Sequence, residues 1–213
     1  MLNMKDDMTG AASILGIIQA IAKIEPDVEL HVISALCENM ASGSAYKQGD
    51  VLTAMNGKTI EVDNTDAEGR ITLADALSYA DKLEVDEVID IATLTGAAIV
   101  ALGTNITAVM GNNQKQIDTF RQVAEKSCET TWQMPIFDEL KENLKSEIAD
   151  FKNTGGKNAG TSTAAWFLSN FTQSKSWLHL DIAGTAFLEK SNKETLQGPT
   201  GVMIRSLINY ILE

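Results

Sequence analysis

The string Asn64-Thr-Asp-Ala-Glu-Gly-Arg70 concentrates more chemistry than any other part of the chain. Asp66 and Glu68 are two residues apart, which in an extended segment aims both carboxylates at one face and on a helix would separate them. Gly69 permits a sharp turn or a close backbone approach. Arg70 then falls beside a helix start, where free N–H groups and the helix dipole favour an anion. Two carboxylates on one face with an adjoining anion pocket suit a hard metal ion and an oxyanion. The same string also reads as a polar turn with a capping aspartate, and the spacing allows both readings. A second acidic cluster, Lys5-Asp6-Asp7-Met8, stands just before an apolar periodic stretch. Taken alone, acids in that position read as helix caps or dipole partners.

Other chemistries find less to work with. The two histidines, His31 in Glu29–Leu36 and His179 in Trp177–Ile182, both read as strand residues with satisfied, structural rings. Cys37 and Cys128 are too far apart in sequence for a disulfide framework or a zinc knuckle, and read as buried free thiols in a reducing compartment. Metal or acid–base chemistry therefore has to rest on carboxylates. Gly155-Gly-Lys157 is followed by Asn158 where a phosphate loop needs Ser or Thr. Ser42-Gly-Ser44 and Thr161-Ser-Thr163 lack the setting of a nucleophile elbow. Trp132, Trp166 and Trp177 read as core or subunit-interface anchors.

The elements that must position these groups follow from periodicity. Apolar residues at spacings of three and four predict a helix over Thr9–Ile24, stopped by Pro26, and further helices over Ile71–Leu83, Gln116–Cys128, Asp138–Ile148, Ser162–Phe171 and Val202–Leu212. Strands are expected at Val28–Leu36, Val88–Ala92, Ile106–Met110 and Trp177–Ile182. A hairpin is expected between Val51–Met55 and Thr59–Val62, turning through Asn56-Gly57 in a type I′ geometry. Alternating strands and helices predict an α/β fold, a mixed and largely parallel sheet sandwiched between α-helices. No repeat, low-complexity stretch or linker divides residues 1–213, so one domain is expected.

With 17 Lys+Arg against 29 Asp+Glu, the net charge is −12, which argues against nucleic acid as a partner. Hydrophobic residues make up 44%, enough for a substantial core. No apolar run approaches the roughly 20 residues that cross a bilayer, and the N-terminus lacks the basic and apolar regions of a secretion signal. A cytoplasmic protein without a membrane partner is expected.

Six ordered words carry a resemblance. Met4-Lys-Asp-Asp-Met8 with Gly10-Ala-Ala12, Cys37-Glu-Asn-Met40, Gly49-Asp-Val51, Asn64-Thr-Asp-Ala-Glu-Gly-Arg70, Ala92-Thr-Leu-Thr-Gly96 and His179-Leu-Asp-Ile-Ala-Gly184 follow one another as in leucyl (cytosol) aminopeptidases. The chain resembles that family over essentially its whole length. The resemblance implies a di-metal exopeptidase whose ions bind the substrate's free amine and scissile carbonyl and activate a water. It implies that Asp7 ligates one metal, Asp66 the other, and Glu68 bridges them. Arg70 would hold a bicarbonate-like anion that accepts a proton. Thr93, Leu94 and Gly96 would line the cleft, Leu94 through its backbone carbonyl, while Met4, Ala183 and Ala186 would wall the pocket for the N-terminal side chain. All-oxygen ligation favours Mn²⁺ or Mg²⁺ on hardness, and the family also uses Zn²⁺. A homo-oligomer, hexameric in the family, is implied as well.

The chain also departs from the family pattern. A metal-ligating lysine, a bridging aspartate and a catalytic lysine come, in the family, from a segment upstream of the Met-Lys-x-Asp-Met word, which here begins at Met4. The family's separate N-terminal domain and the first strands of its catalytic sheet have no counterpart in these residues. Lys47-Gln48 replaces a common Arg-Pro pair, and Gln197-Gly-Pro-Thr-Gly201 replaces a Thr-Gly-Arg-Pro order. The expectation is the catalytic portion of such an enzyme, either truncated or one piece of a split reading frame, with open metal coordination and little activity alone; an upstream fragment is a possible partner. The rival is a non-catalytic remnant serving as an oligomerisation or binding module.

Overall fold

A computed structural model describes residues 4–191 and 196–213. After a short 3-10 turn at Met4–Met8, the elements run α1 (Thr9–Ile24), β1 (Val51–Thr53), β2 (Thr59–Glu61), α2 (Gly69–Ala80), β3 (Val88–Ala92), α3 (Gly96–Leu102) and β4 (Thr107–Gly111). They continue with α4 (Gln114–Lys126), β5 (Thr131–Gln133), β6 (Phe151–Lys152), α5 (Gly160–Ser169), β7 (Trp177–Asp181), β8 (Phe187–Leu188), β9 (Gly198–Pro199) and α6 (Ile204–Ile211).

The principal sheet has the order β3-β7-β4-β5. β3 runs parallel to β7 and β4 parallel to β5, while β4 and β7 are antiparallel, so the expected mixed α/β sheet is present. Strand alternation sorts its residues between two layers. Leu178, Leu180 and Ile182 join Ile17 and Ile21 of α1, Phe120 of α4 and Leu207 of α6 in one core. Trp177 packs on the opposite face with Ala74 and Leu77 of α2 and Phe167 of α5. Helices therefore cover both faces. β1, β2 and β6 form a small second sheet, in which β2 is antiparallel to β1 and parallel to β6.

The helix expected at Thr9–Ile24 forms over that span; Gly10, Ser13, Ile17 and Ile21 face inward, and Glu25 ends it in the left-handed region ahead of Pro26. The helical stretch Met4–Ile24 is 21 residues long and holds an 18-residue window of mean hydropathy 1.2, and so by length and composition alone could cross a bilayer, contrary to the reading of the run lengths. Its inward face packs on β3 and α6. The strand expected at Val28–Leu36 is absent. Leu30 and Leu36 are exposed there, and no described strand lies alongside to supply the hydrogen-bonding neighbour an extended segment needs. The β1–β2 hairpin forms with a different turn. Ala54 and Lys58 close a three-residue loop, Gly57 takes the positive φ of 87°, and Asn56 does not share it. That is a type I turn with a following bulge rather than type I′. The helix expected at Asp138–Ile148 is a 3-10 run, Asp138–Leu144, because only Leu140 and Leu144 are buried to anchor it. Short elements such as α3, β5 and β6 carry too few residues to show a period.

Candidate active site

Because β3 and β7 are parallel, their carboxyl ends open onto one edge of the sheet, the usual place for ligand chemistry in such sheets. From β3 the chain continues as Thr93-Leu94-Thr95 into α3, where Thr95 accepts from the Ala98 N–H as N-cap. Asp7 is brought to the same edge by the packing of α1. A Cβ added to Gly10 would lie 2.3 Å from the Ile91 carbonyl oxygen, so only glycine lets the start of α1 approach β3 this closely. The Thr93 hydroxyl then donates to the Asp7 backbone oxygen at 2.8 Å or its Oδ1 at 3.0 Å. The capping reading of this acidic cluster is not realised, since α1 has no side-chain cap.

Asp66 and Glu68 do not lie on an extended run. Residues 65 and 66 form a turn and Glu68 is in the right-handed helical region, so strand alternation does not set their direction. Asn153 sets it instead. Fully buried, it accepts from the Asp63 N–H at 2.8 Å and the Asn64 N–H at 3.2 Å. Its amide reaches the Asn64 carbonyl at 2.6 Å and the Ala67 carbonyl at 3.3 Å. Thr154 adds a bond to the Asp63 carboxylate at 2.7 Å. An open depression of about 450 Å³ lies beside this turn, lined by Asp63, Asn64, Thr65, Thr154 and Lys157 among others. Neither Asp66 nor Glu68 caps α2, which has no side-chain cap bond.

The charges of this edge act on one another. Burial raises the Glu68 pKa, its own backbone N–H opposes that, and the charges of Asp7 and Asp66 raise it further against the pull of Arg70. Arg70 is the second residue of α2 and only 8% exposed. Burial lowers its pKa to about 10, against the pull of Asp181 and Glu68. Its Nε is buried with no hydrogen-bond partner among the described residues, and none of the ion pairs found there includes it. Asp181, 1% exposed, accepts from the Leu94 N–H, the Thr95 N–H and hydroxyl, and the Ala183 N–H. Burial raises its pKa, with the charge of His179 and the bonds from Thr95 and Ala183 opposing. Deeper in the sheet, Asp90 accepts from Trp177 Nε1 at 2.7 Å and pairs with His179 Nδ1 at 2.5 Å.

Glu68 is thus the group that links Asp7, Asp66 and Arg70, feeling the charge of each. Among the described residues no three Asp, Glu, His or Cys side chains already form a group that could hold a metal ion. Thr93 and Leu94 line the carboxyl edge of β3, and Leu94 packs 3.5 Å from where a Gly69 Cβ would stand, joining that wall to the carboxylate turn. Gly96 is exposed with open space around it. Met4 is half-exposed on the turn that carries Asp7. Ala183 is half-buried at the end of β7. Ala186, 2% exposed, sits in the core with Ile182 and Met203 rather than on an open wall, because its backbone folds back on Ile182. Both cysteines are exposed, correcting the expectation of burial: Cys37 lies in the unpaired segment, and Cys128 turns the chain out of α4 at a φ of 60°. His31 is exposed beside Glu29 rather than on a strand, whereas His179 is a core residue. Trp166 and Trp177 are buried, and Trp132 is 58% exposed.

Asn153, Thr95 and Asp181 escaped attention as site residues. Asp181 had a readable mark: an acid two places from His179 in an otherwise apolar strand must face inward with it. Nothing in the local pattern distinguishes Asn153.

The sequence profile of the cytosol aminopeptidase family's catalytic domain matches residues 1–208. A probable cytosol aminopeptidase of Rippkaea orientalis is 53% identical over 209 residues, covering 98% of this chain and 43% of the relative. Proteins of the same printed name from a Picosynechococcus species and from Gloeobacter violaceus are 52% and 49% identical, covering 98% of this chain and 43% and 42% of their own lengths. The chain therefore spans less than half the length of these curated relatives. With a matching profile over nearly all its residues, the chain belongs to the cytosol aminopeptidase family.

Proposed function

We propose that this chain carries part of the active site of a metal-dependent, leucine-type aminopeptidase that trims N-terminal residues from peptides in the cytoplasm. The observation that carries this reading is the Arg70 guanidinium, buried and with no partner for its Nε among the described residues, beside the Glu68 carboxylate, which also feels Asp7 and Asp66; neither caps nor ion pairs among the described residues consume these three acids. Buried polar groups rarely stay unsatisfied without a reason, and an orphaned cationic donor fits an anion such as bicarbonate. The all-oxygen donor set of Asp7, Asp66 and Glu68 fits Mn²⁺ or Mg²⁺ and accommodates Zn²⁺. Asp7 would hold one cation, Asp66 the second, and Glu68 both. When bound, such a pair of ions polarises the scissile carbonyl and lowers the pKa of the attacking water.

The chain's own groups supply the rest. Thr93 orients the Asp7 carboxylate. Leu94 would offer its carbonyl to the substrate amide, and Arg70 would hold a bicarbonate-like anion able to accept a proton. Gly96 leaves room for the peptide, while Met4 and Ala183 border the N-terminal side chain, with Ala186 supporting from the layer beneath. We further infer that the 213-residue chain turns over peptide slowly or not at all by itself, since three carboxylates do not close two coordination spheres. An upstream fragment carrying the family's lysines and aspartate would complete it.

A second reading, a non-catalytic oligomerisation module, draws on the outer face of α1, where Leu15 is 63% and Ile18 41% exposed. The same stripe supports a homo-oligomer, a hexamer by family resemblance. Calorimetric titration with Mn²⁺ separates the readings. The expected result is binding by the chain that is lost in Glu68→Gln; absence of Mn²⁺ uptake overturns the metal reading in favour of the module. An assay on leucyl p-nitroanilide with Mn²⁺ tests incompleteness: turnover matching an intact family enzyme overturns it.

A further inference from the structure

We propose that Asp181 is a positioning residue that ties together the two walls of the substrate cleft, an inference resting on the aminopeptidase reading. One carboxylate oxygen accepts from the Leu94 N–H at 3.1 Å, the Thr95 N–H at 3.3 Å and the Ala183 N–H at 3.2 Å; the other accepts from the Thr95 hydroxyl at 2.6 Å. Leu94 and Thr95 belong to the turn after β3, and Ala183 to the turn after β7. In the β3–β7 ladder Asp181 lies opposite Ala92, one residue before the first turn begins. A single side chain thus sets the separation of both turns. Thr95 extends the tie to α5 through the Thr161 hydroxyl at 3.0 Å.

Burying a carboxylate at 1% exposure is costly unless its lone pairs are used. Here four donors use them, and all come from the cleft-bordering turns rather than from the sheet. A residue serving the sheet alone would bond along the ladder, as Asp90 does with its neighbours on β7. The donors also account for the direction of the two turns. They point three backbone N–H groups inward, while the Ile182 carbonyl on the far side of the Ala183 peptide accepts from the Thr185 and Ala186 N–H groups and closes the turn after β7.

The test follows binding of L-leucinamide, in Mg²⁺, to the 213-residue chain through the amide resonances of Leu94, Thr95 and Ala183. In the unsubstituted chain all three are expected to shift together. Asp181→Ala should weaken binding about tenfold, the loss of roughly one charge-assisted hydrogen bond, and uncouple the Ala183 shift from the other two. Asp181→Asn keeps the oxygen that serves the three amides and should bind within about threefold of the unsubstituted chain. Ser78→Ala removes buried bonds to Ala74 and Phe171 away from the cleft, and should lower stability without changing affinity. If Asp181→Ala does not fold, Thr95→Val, which deletes the hydroxyl donor, should weaken binding about threefold. Affinity unchanged in Asp181→Ala, or in Thr95→Val should that be the folded variant, overturns the positioning role and leaves the cleft reading intact. No shift in the unsubstituted chain overturns the cleft reading, and the positioning role falls with it.

Discussion

Asn153 spends its whole hydrogen-bonding capacity on the turn that carries Asp66 and Glu68. Replacing it with alanine strands two partly buried N–H groups and two carbonyls at once. Asn153→Ala is expected to lose about 2–3 kcal/mol in urea denaturation and to weaken Mn²⁺ binding, although it touches no cation. The buried pair of Asp90 and His179 carries a pH signature. Burial works to lower the His179 pKa, but the charge and hydrogen bond of Asp90 and the charge of Asp181 raise it above 6.5 on balance. A histidine raised on folding stabilises fully below its unfolded value and loses that contribution as pH climbs through its folded value. The unfolding free energy is therefore expected to fall as pH rises above about 6.5, and His179→Gln should flatten that slope. Asp90→Ala, which leaves the imidazole uncompensated, should cost about 3 kcal/mol at neutral pH by denaturant titration. His179 was readable as a structural core residue because it interrupts an apolar strand. Its partner was not, since Asp90 lies on another strand of the sheet.

At the scale of elements, α1 shows how one glycine decides a site. Gly10→Ala drives a Cβ into the Ile91 carbonyl, and should destabilise by about 2 kcal/mol while pushing Asp7 away from Thr93. Gly16 on the same helix meets only the flexible end of Ile204 at 3.3 Å. Gly16→Ala should be neutral or stabilise by up to about 1 kcal/mol through helix propensity, as read by thermal melting. The helices α1, α2 and α4 were legible because their buried positions recur with helical period, whereas α5 is buried without a break from Thr161 to Leu168. The Val28–Leu36 strand had the right composition and no neighbour to pair with. The Asn56-Gly57 turn was placed correctly and typed wrongly, because loop length depends on which residues close the ladder.

In the whole molecule, apolar surface is distributed unevenly. Leu15, Ile18 and Ile24 stay exposed on α1, and Leu36 and Met40 are exposed in the unpaired segment after it. An exposed stripe of this kind is where the proposed homo-oligomer would make contact. Replacing Leu15 and Ile18 together with glutamate, on the face turned away from β3, should leave melting nearly unchanged and abolish the proposed self-association in sedimentation velocity. Association unaffected by the pair would assign the oligomer contact to another surface, such as the edge strand β5 with the exposed Trp132.

The residues alone determined the family, the alternation of strands and helices, and the identity of the acids and the arginine gathered at the carboxyl edge of β3. Those properties are local: a period, a cap, a string of side-chain types. Tertiary structure decided that Arg70 is buried with no partner for its Nε among the described residues, that Asn153 rather than strand alternation holds the turn bearing the carboxylates, and that Asp181 joins the turns after β3 and β7. Burial and long-range hydrogen bonds depend on which distant segments the packed sheet brings together, and no spacing along the chain encodes that distance.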